Sequence, residues 1–291
     1  MRAAVNGIEI EYETFGDPAD PTLLLVRGLG AQMVSWHPDL CHAFVDRGFH
    51  VVRFDNRDVG LSTKVDDHGL DVMAALIGAF SGPVKAPYLL SDMAADSWGL
   101  LDHLGIDRAH LMGESMGGMI VQQMAIDRPE RALSLVSCAS TTGDPDVGQP
   151  TAEAVAMLLT PSPAERQANI DLGVEQSRFL AGPVYADEEW DRERLTLSFD
   201  RCYDPDGTVR QLLAVLVSPS RSAALRTLDV PALVVHGEID PLIDVSGGER
   251  TTECLRGSEF LRLEDVGHTL PRYFWASIVQ HVTALAARGA R

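Results

Sequence analysis

The stretch AHLMGESMGGMIVQQMA, residues 109–125, runs from a short apolar segment through Gly113-Glu114-Ser115-Met116-Gly117 into a helical pattern. A buried strand that becomes a helix over so few residues strains the backbone at the bend. Flanking glycines remove the Cβ atoms that would clash there. Ser115 is therefore expected to project its hydroxyl at the end of a strand. Gly118 is expected to let the helix lie close to neighbouring strands. The helix amino terminus brings free N–H groups and the positive end of its dipole beside that hydroxyl, where an oxyanion would form.

Other short apolar runs read as further buried strands: TLLLV (22–26), HVVRF (50–54), LSLVSC (133–138), ALVVHG (232–237) and EFLRLE (259–264). AAV, Asn6-Gly7 and the alternating IEIEYETF read as a hairpin around a tight Asn-Gly turn. Helical patterns such as LCHAFVDRG, MAADSWGLLDHLG, MIVQQMAIDRP and the final FWASIVQHVTALAARG lie between most strands or after the last. Such alternation implies an α/β fold, a mostly parallel sheet covered on both faces. It fails between 143 and 226, where TAEAVAMLL, AERQANIDLGVEQSRFL and DEEWDRERLTLSF are amphipathic helical segments with no convincing strand. The expected organisation is a core domain, 1–142 and 227–291, with a helical cap, 143–226, inserted after the sixth strand.

Forty-two acidic residues against 24 basic ones give a net charge of −18, a field that repels phosphate backbones and anionic membrane surfaces. Neither a nucleic-acid partner nor membrane insertion is expected. The apolar stretches VMAALIGAF and LLAVLV are far too short to span a bilayer. The first residues, MRAAVNGIEIEYETF, lack the apolar segment of a signal peptide. Cys41, Cys138, Cys202 and Cys254 are scattered, with no Cys-x-x-Cys pair, and read as reduced packing residues. A cytoplasmic location is expected. No His, Asp and Glu pattern suggests a metal site.

A serine hydroxyl needs a base to become a nucleophile, and that base needs an orienting acid. Of the nine histidines, His268 in EDVGHTLPRYF follows the last strand and precedes the last helix, where a loop reaches the carboxyl edge of the sheet. His50 and His110 open strands at the opposite edge. His103 and His281 lie within helices, and His37, His42 and His68 precede the serine in early loops or helix. His236 lies inside a strand and is assigned a structural hydrogen bond. For the acid, Asp240 falls in the loop beyond ALVVHG; Asp265 and Glu238 are alternatives, and Asp244 reads as a helix cap.

The order Ser115, Asp240, His268, with the motifs around them, resembles α/β-hydrolase-fold serine esterases over essentially the full length, cap included. GLGAQMVSWHPDLCHAFVDRGFHVVRFDNRDVGLSTK and GESMGGMIVQQMAIDRPERALSLVSCAST are similar to actinobacterial esterases and lipases and to the aclacinomycin methylesterase group of polyketide tailoring enzymes. The resemblance implies an eight-stranded α/β-hydrolase fold and acyl transfer from a small-molecule ester to water through an acyl enzyme, with no cofactor. It implies an oxyanion hole from the Met116 amide, which follows the nucleophile, and from the Leu29 amide in RGLGAQ. Gly28, Met33, Trp36 and Arg27 are candidate substrate-pocket residues. Arg27 replaces the family's usual histidine; it either braces the loop against an acid or meets a substrate carboxylate. Arg57, in DNRDVGLS, reads as structural. The chain is compatible with a homodimer.

The same triad serves lactonases, perhydrolases and carbon–carbon bond hydrolases, and a non-catalytic receptor could retain the fold. Epoxide and haloalkane hydrolases are disfavoured, because they carry an aspartate where Ser115 stands. RGLGAQ alone would suit a nicotinamide-dependent enzyme, but Met33 stands where the third glycine of G-x-G-x-x-G belongs.

Overall fold

The computed structural model describes residues 1–66 and 85–289, together with Gly78. The segment VMAALIGAF, apart from Gly78, and His68 lie outside the described residues. The strands are β1 (Arg2–Val5), β2 (Ile8–Phe15), β3 (Thr22–Val26), β4 (His50–Phe54), β5 (Ala109–Glu114), β6 (Ala132–Cys138), β7 (Ala232–Gly237) and β8 (Glu259–Leu263). They form one sheet in the order β1-β2-β4-β3-β5-β6-β7-β8. β2 pairs antiparallel with β1 and β4, and every pairing from β4 to β8 is parallel. The hairpin turns where Asn6 and Gly7 both adopt positive φ, 46° and 79°, the conformation a tight two-residue hairpin turn requires.

Alternate residues of the central strands feed two different cores, as a two-fold side-chain period dictates. Leu24, Val26, Val52, Leu111 and Leu135 face one core, where Leu90–His103 (α2) and Met116–Asp127 (α3) pack. Leu23, Leu25, Val51, Met112 and Val136 face the other, covered by Pro38–Val45 (α1) and Trp275–Gly289 (α10). Both faces are buried, so these strands read as largely continuous apolar runs rather than alternating ones.

Between β6 and β7 the chain forms α4 (Ala152–Leu158), α5 (Arg166–Ala181), α6 (Glu188–Arg201), α7 (Pro205–Val217) and the short α8 (Ser222–Leu225). Their starts are chemically marked: Thr151, Glu165, Asp187 and Asp204 each accept first-turn amides, and Pro205 follows Asp204 directly. LLAVLV belongs to α7, with Leu213 and Ala214 fully buried. After β7, α9 (Ser246–Cys254) begins one residue later than a cap at Asp244 would require; Asp244 instead accepts the Ser246 amide from outside the helix. No helix among the described residues is long and apolar enough to cross a membrane.

Candidate active site

Ser115 stands between β5 and α3 with φ 59° and ψ −123°, a conformation that L-residues rarely adopt. Its amide donates to the Cys138 carbonyl at 2.8 Å, and its carbonyl accepts from the Ser140 hydroxyl at 2.8 Å. The strain is therefore held by the neighbouring strand β6 and the loop beyond it. The sequence allows it because Gly117 touches the end of β3: a Cβ there would lie 2.1 Å from the Val26 carbonyl oxygen. The Ser115 side chain makes no capping bond to α3, which leaves the hydroxyl available for chemistry. Met116 is the first residue of that helix, and its amide is among those a helix leaves without an internal acceptor.

Gly28 is pressed against the serine. A Cβ at this position would lie 2.9 Å from Ser115 Cβ and 3.4 Å from Ser115 Oγ. The backbone of RGLGAQ therefore passes directly beside the nucleophile position. The next residues close a turn in which Ala31 N–H donates to the Gly28 carbonyl at 3.2 Å. Gly30 takes φ 65°, as a type II turn demands of its third residue, and Leu29 occupies the second.

Asp240 and His268, 28 residues apart, meet in buried surroundings: His268 Nδ1–H donates to Asp240 Oδ2 at 2.7 Å. Asp240 Oδ1 accepts the Leu242 and Ile243 amides at 2.8 and 2.9 Å, which fixes the carboxylate by its own loop. Burial favours its protonated form, but the His268 charge and the hydrogen bonds from His236 and His268 prevail and hold the carboxyl far below the usual aspartate range. Burial likewise opposes the His268 cation, yet Asp240 beside it raises the imidazole above its ordinary value. Glu114 raises it further and Arg27 lowers it. His268 Nε2 is buried with no protein partner among the described residues. Asp265 and Glu238, the alternative acids, are exposed, and Glu238 lies 3.7 Å from Arg262.

The remaining pocket candidates divide. Arg27 pairs with Glu114, the residue before the nucleophile, and lies 4.9 Å over the ring of Trp36. Of its two readings, bracing the loop against an acid is the arrangement present. Burial lowers the Arg27 pKa, and Glu114 offsets part of that. Arg27 and Trp36 also line a cavity of about 90 Å³ together with Glu114, Trp190, Thr269 and Trp275. Met33 and the side chain of Met116 are buried and do not line it. Arg57 forms a buried pair with Asp96 at 2.6 Å.

His236 makes the structural bond expected of it, Nε2–H to the Ile243 carbonyl at 2.8 Å, and in addition lies 3.4 Å from Asp240 Oδ2. Its position four residues before Asp240 could have signalled that contact. Two arginines of the helices between β6 and β7 also reach the DNRD loop: Arg201 pairs with Asp55 at 2.9 Å and Arg210 with Asp58 at 3.0 Å.

This architecture agrees with what the chain is similar to. The family model described as "alpha/beta hydrolase fold" matches residues 21–271. Rhodomycin D methylesterase DnrP of Streptomyces peucetius is 29% identical over 282 residues, covering 89% of this chain and 88% of that protein. The 3-oxoadipate enol-lactonase 2 of Acinetobacter baylyi is 27% identical over 260 residues, 88% and 85% of the two chains. The solved enol-lactonase from Burkholderia xenovorans LB400 superposes with a TM-score of 0.75 at 23% identity, covering 99% of this chain and all of the other. With its serine elbow, its mostly parallel sheet and its helices inserted after β6, the chain belongs to the α/β-hydrolase fold family.

Proposed function

We propose that the protein is a serine hydrolase that cleaves a carboxylic ester. One observation carries this reading: a buried His268–Asp240 pair, whose Nε2 has no partner among the described residues, stands at the sheet edge where the strained Ser115 makes no capping bond with its hydroxyl. His268 Nε2 takes the Ser115 proton as Oγ bonds to the ester carbonyl carbon. Asp240 holds the imidazole tautomer and stabilises the imidazolium. The Leu29 and Met116 amides receive the oxyanion. Its collapse breaks the carbon–alkoxy bond, His268 returns the proton to the departing alcohol, and water repeats the sequence on the acyl enzyme. Gly28, Arg27 and Trp36 shape the substrate side of the site, and residues 143–226 act as its cap. The partner is a small-molecule ester and the setting cytoplasmic.

Similarity to rhodomycin D methylesterases over most of both chains favours a methyl ester as substrate. The enol-lactonase relative favours a second reading, the same triad opening a lactone. Incubating the protein and Ser115→Ala with methyl esters, aryl esters and lactones, and with a fluorophosphonate probe, tests both. Turnover of a methyl ester with a covalent adduct on Ser115 is expected. Wild type that neither turns over any ester or lactone nor gains the adduct would leave a receptor as the better reading, and lactone turnover alone would select the second.

A further inference from the structure

We propose that Gln211, on the inserted helix α7, is a positioning residue for the oxyanion hole. The proposal rests on the reading of the Leu29 amide as an oxyanion donor. Leu29 has no side-chain means of aiming its own N–H; the direction is set by the turn Gly28–Ala31 and by what holds the turn. On one side Gly28 abuts Ser115. On the other, Gly30 N–H donates to Gln211 Oε1 at 2.9 Å.

Gln211 is itself completely buried, and its Nε2–H donates to the Arg57 carbonyl at 2.7 Å. Both ends of the amide are therefore engaged, so the acceptor that meets Gly30 cannot rotate away. Thr208, one turn earlier on the same face of α7, closes the contact: a Cβ on Gly30 would lie 2.9 Å from Thr208 Oγ1. Further along the loop, the Gln32 side chain donates to the Ser198 and Cys202 carbonyls at the end of α6, at 2.8 and 3.0 Å.

The general base is tied to the same insertion. Gly267 and His268 donate their amides to the Ala181 and Leu180 carbonyls at the end of α5, at 3.1 and 2.6 Å. Helices α5 and α7 thus grip the two loops that must be aligned on Ser115. An insertion bonded in this way is part of the catalytic framework, and lifting it away would release the oxyanion turn.

The test compares Gln211→Met, Gln211→Glu and Leu29→Pro in the full-length protein, on an ester that wild type hydrolyses. Inhibition by a trifluoromethyl ketone, whose adduct on Ser115 carries an oxyanion, is measured beside kcat, KM and melting temperature. Leu29→Pro removes one amide donor at a turn position that accepts proline. Gln211→Met is expected to lower kcat ten- to a hundred-fold, to weaken the ketone by the same factor and to leave KM within twofold. Gln211→Glu, favoured in its protonated form by burial, keeps an acceptor for Gly30 and an O–H donor for the Arg57 carbonyl, and is expected to recover most of the ketone affinity. It also carries the test if the methionine variant fails to fold. Full kcat and ketone affinity in folded Gln211→Met overturn the proposal, as does a folded Gln211→Glu that loses the ketone more than tenfold. Leu29→Pro at full activity overturns the oxyanion reading itself, whereas an inactive Leu29→Pro beside an unaffected Gln211→Met overturns only the role of Gln211.

Discussion

Arg27 and Glu114 form an ion pair directly behind the nucleophile, with side chains 16% and 7% exposed. Both act on the His268 charge, in opposite directions. Arg27→Met leaves Glu114 buried without its cation, which should cost about 3–5 kcal/mol of stability. It also removes the charge that lowers His268 and leaves the one that raises it, so the imidazole becomes more basic. Since His268 must be neutral to accept the serine proton, the acid limb of kcat/KM should move to higher pH. Replacing Glu114 by methionine as well should bring both stability and limb back toward wild type. Denaturant melts and pH profiles of the two variants check this; a limb that stays put in Arg27→Met would place the pair outside the electrostatics of the base.

Asp240 takes hydrogen bonds on both carboxylate oxygens, whereas Asp265 and Glu238 are exposed. Asp240→Asn should lower kcat by about 10⁴, because an amide can present a donor to His268 and favour the wrong tautomer. Asp265→Asn and Glu238→Gln should stay within about twofold, as surface substitutions usually do. The opposite ranking in steady-state assays would move the acid to another loop.

His236 gives Asp240 Oδ2 a second histidine neighbour at 3.4 Å. Its hydrogen bond is one of the interactions that lower the Asp240 carboxyl. In His236→Phe the Asp240 loop loses its anchor at the Ile243 carbonyl, which lets the acid drift out of line, while the carboxylate, freed of one donor, raises the pKa of His268. The expected outcome is a fall in kcat of about fivefold, the worth of one ordinary hydrogen bond, with KM unchanged and the acid limb moved upward. A lower melting temperature with an unmoved limb would mean that His236 only packs.

These partnerships show where the sequence is informative. The serine elbow is legible because backbone strain must be relieved by adjacent residues, so Gly113, Ser115 and Gly117 appear together. Asp240 and His268 are legible because each follows a strand, and strand ends in a parallel sheet share an edge. Gln211 is not, since the Gly30 it holds lies 181 residues away and no local pattern records the contact. Arg27 and Glu114 are separated by 87 residues, so the sequence could offer a brace as one reading without naming the acid. Helix α7 was not among the helical segments read from the sequence, although its start carries a usable signal in Asp204-Pro205, a capping residue followed by a proline at the first helical position. The side chains that such a helix buries against catalytic loops depend on three-dimensional docking.

Gly28 offers the sharpest separation of catalysis from stability. A methyl group there would sit 2.9 Å from Ser115 Cβ and 3.1 Å from the Glu114 carbonyl oxygen, so in Gly28→Ala either the oxyanion turn or the nucleophile must shift. Overpacking of this kind costs about 1–3 kcal/mol, and the loss of one aligned oxyanion donor costs about 10²–10³ in kcat. Gly48 supplies the control: its φ of 81° also disfavours a side chain, but no atom of the described residues lies within 4 Å of a Cβ there. Gly48→Ala should lose about 1 kcal/mol from backbone strain alone and keep wild-type kcat. Destabilisation of similar size with a hundredfold difference in turnover would locate the damage at the contact between Gly28 and Ser115. If both variants instead lose activity only in proportion to the folded protein remaining, the turn at Gly28 contributes stability rather than transition-state binding, and the assignment of the Leu29 amide falls with it.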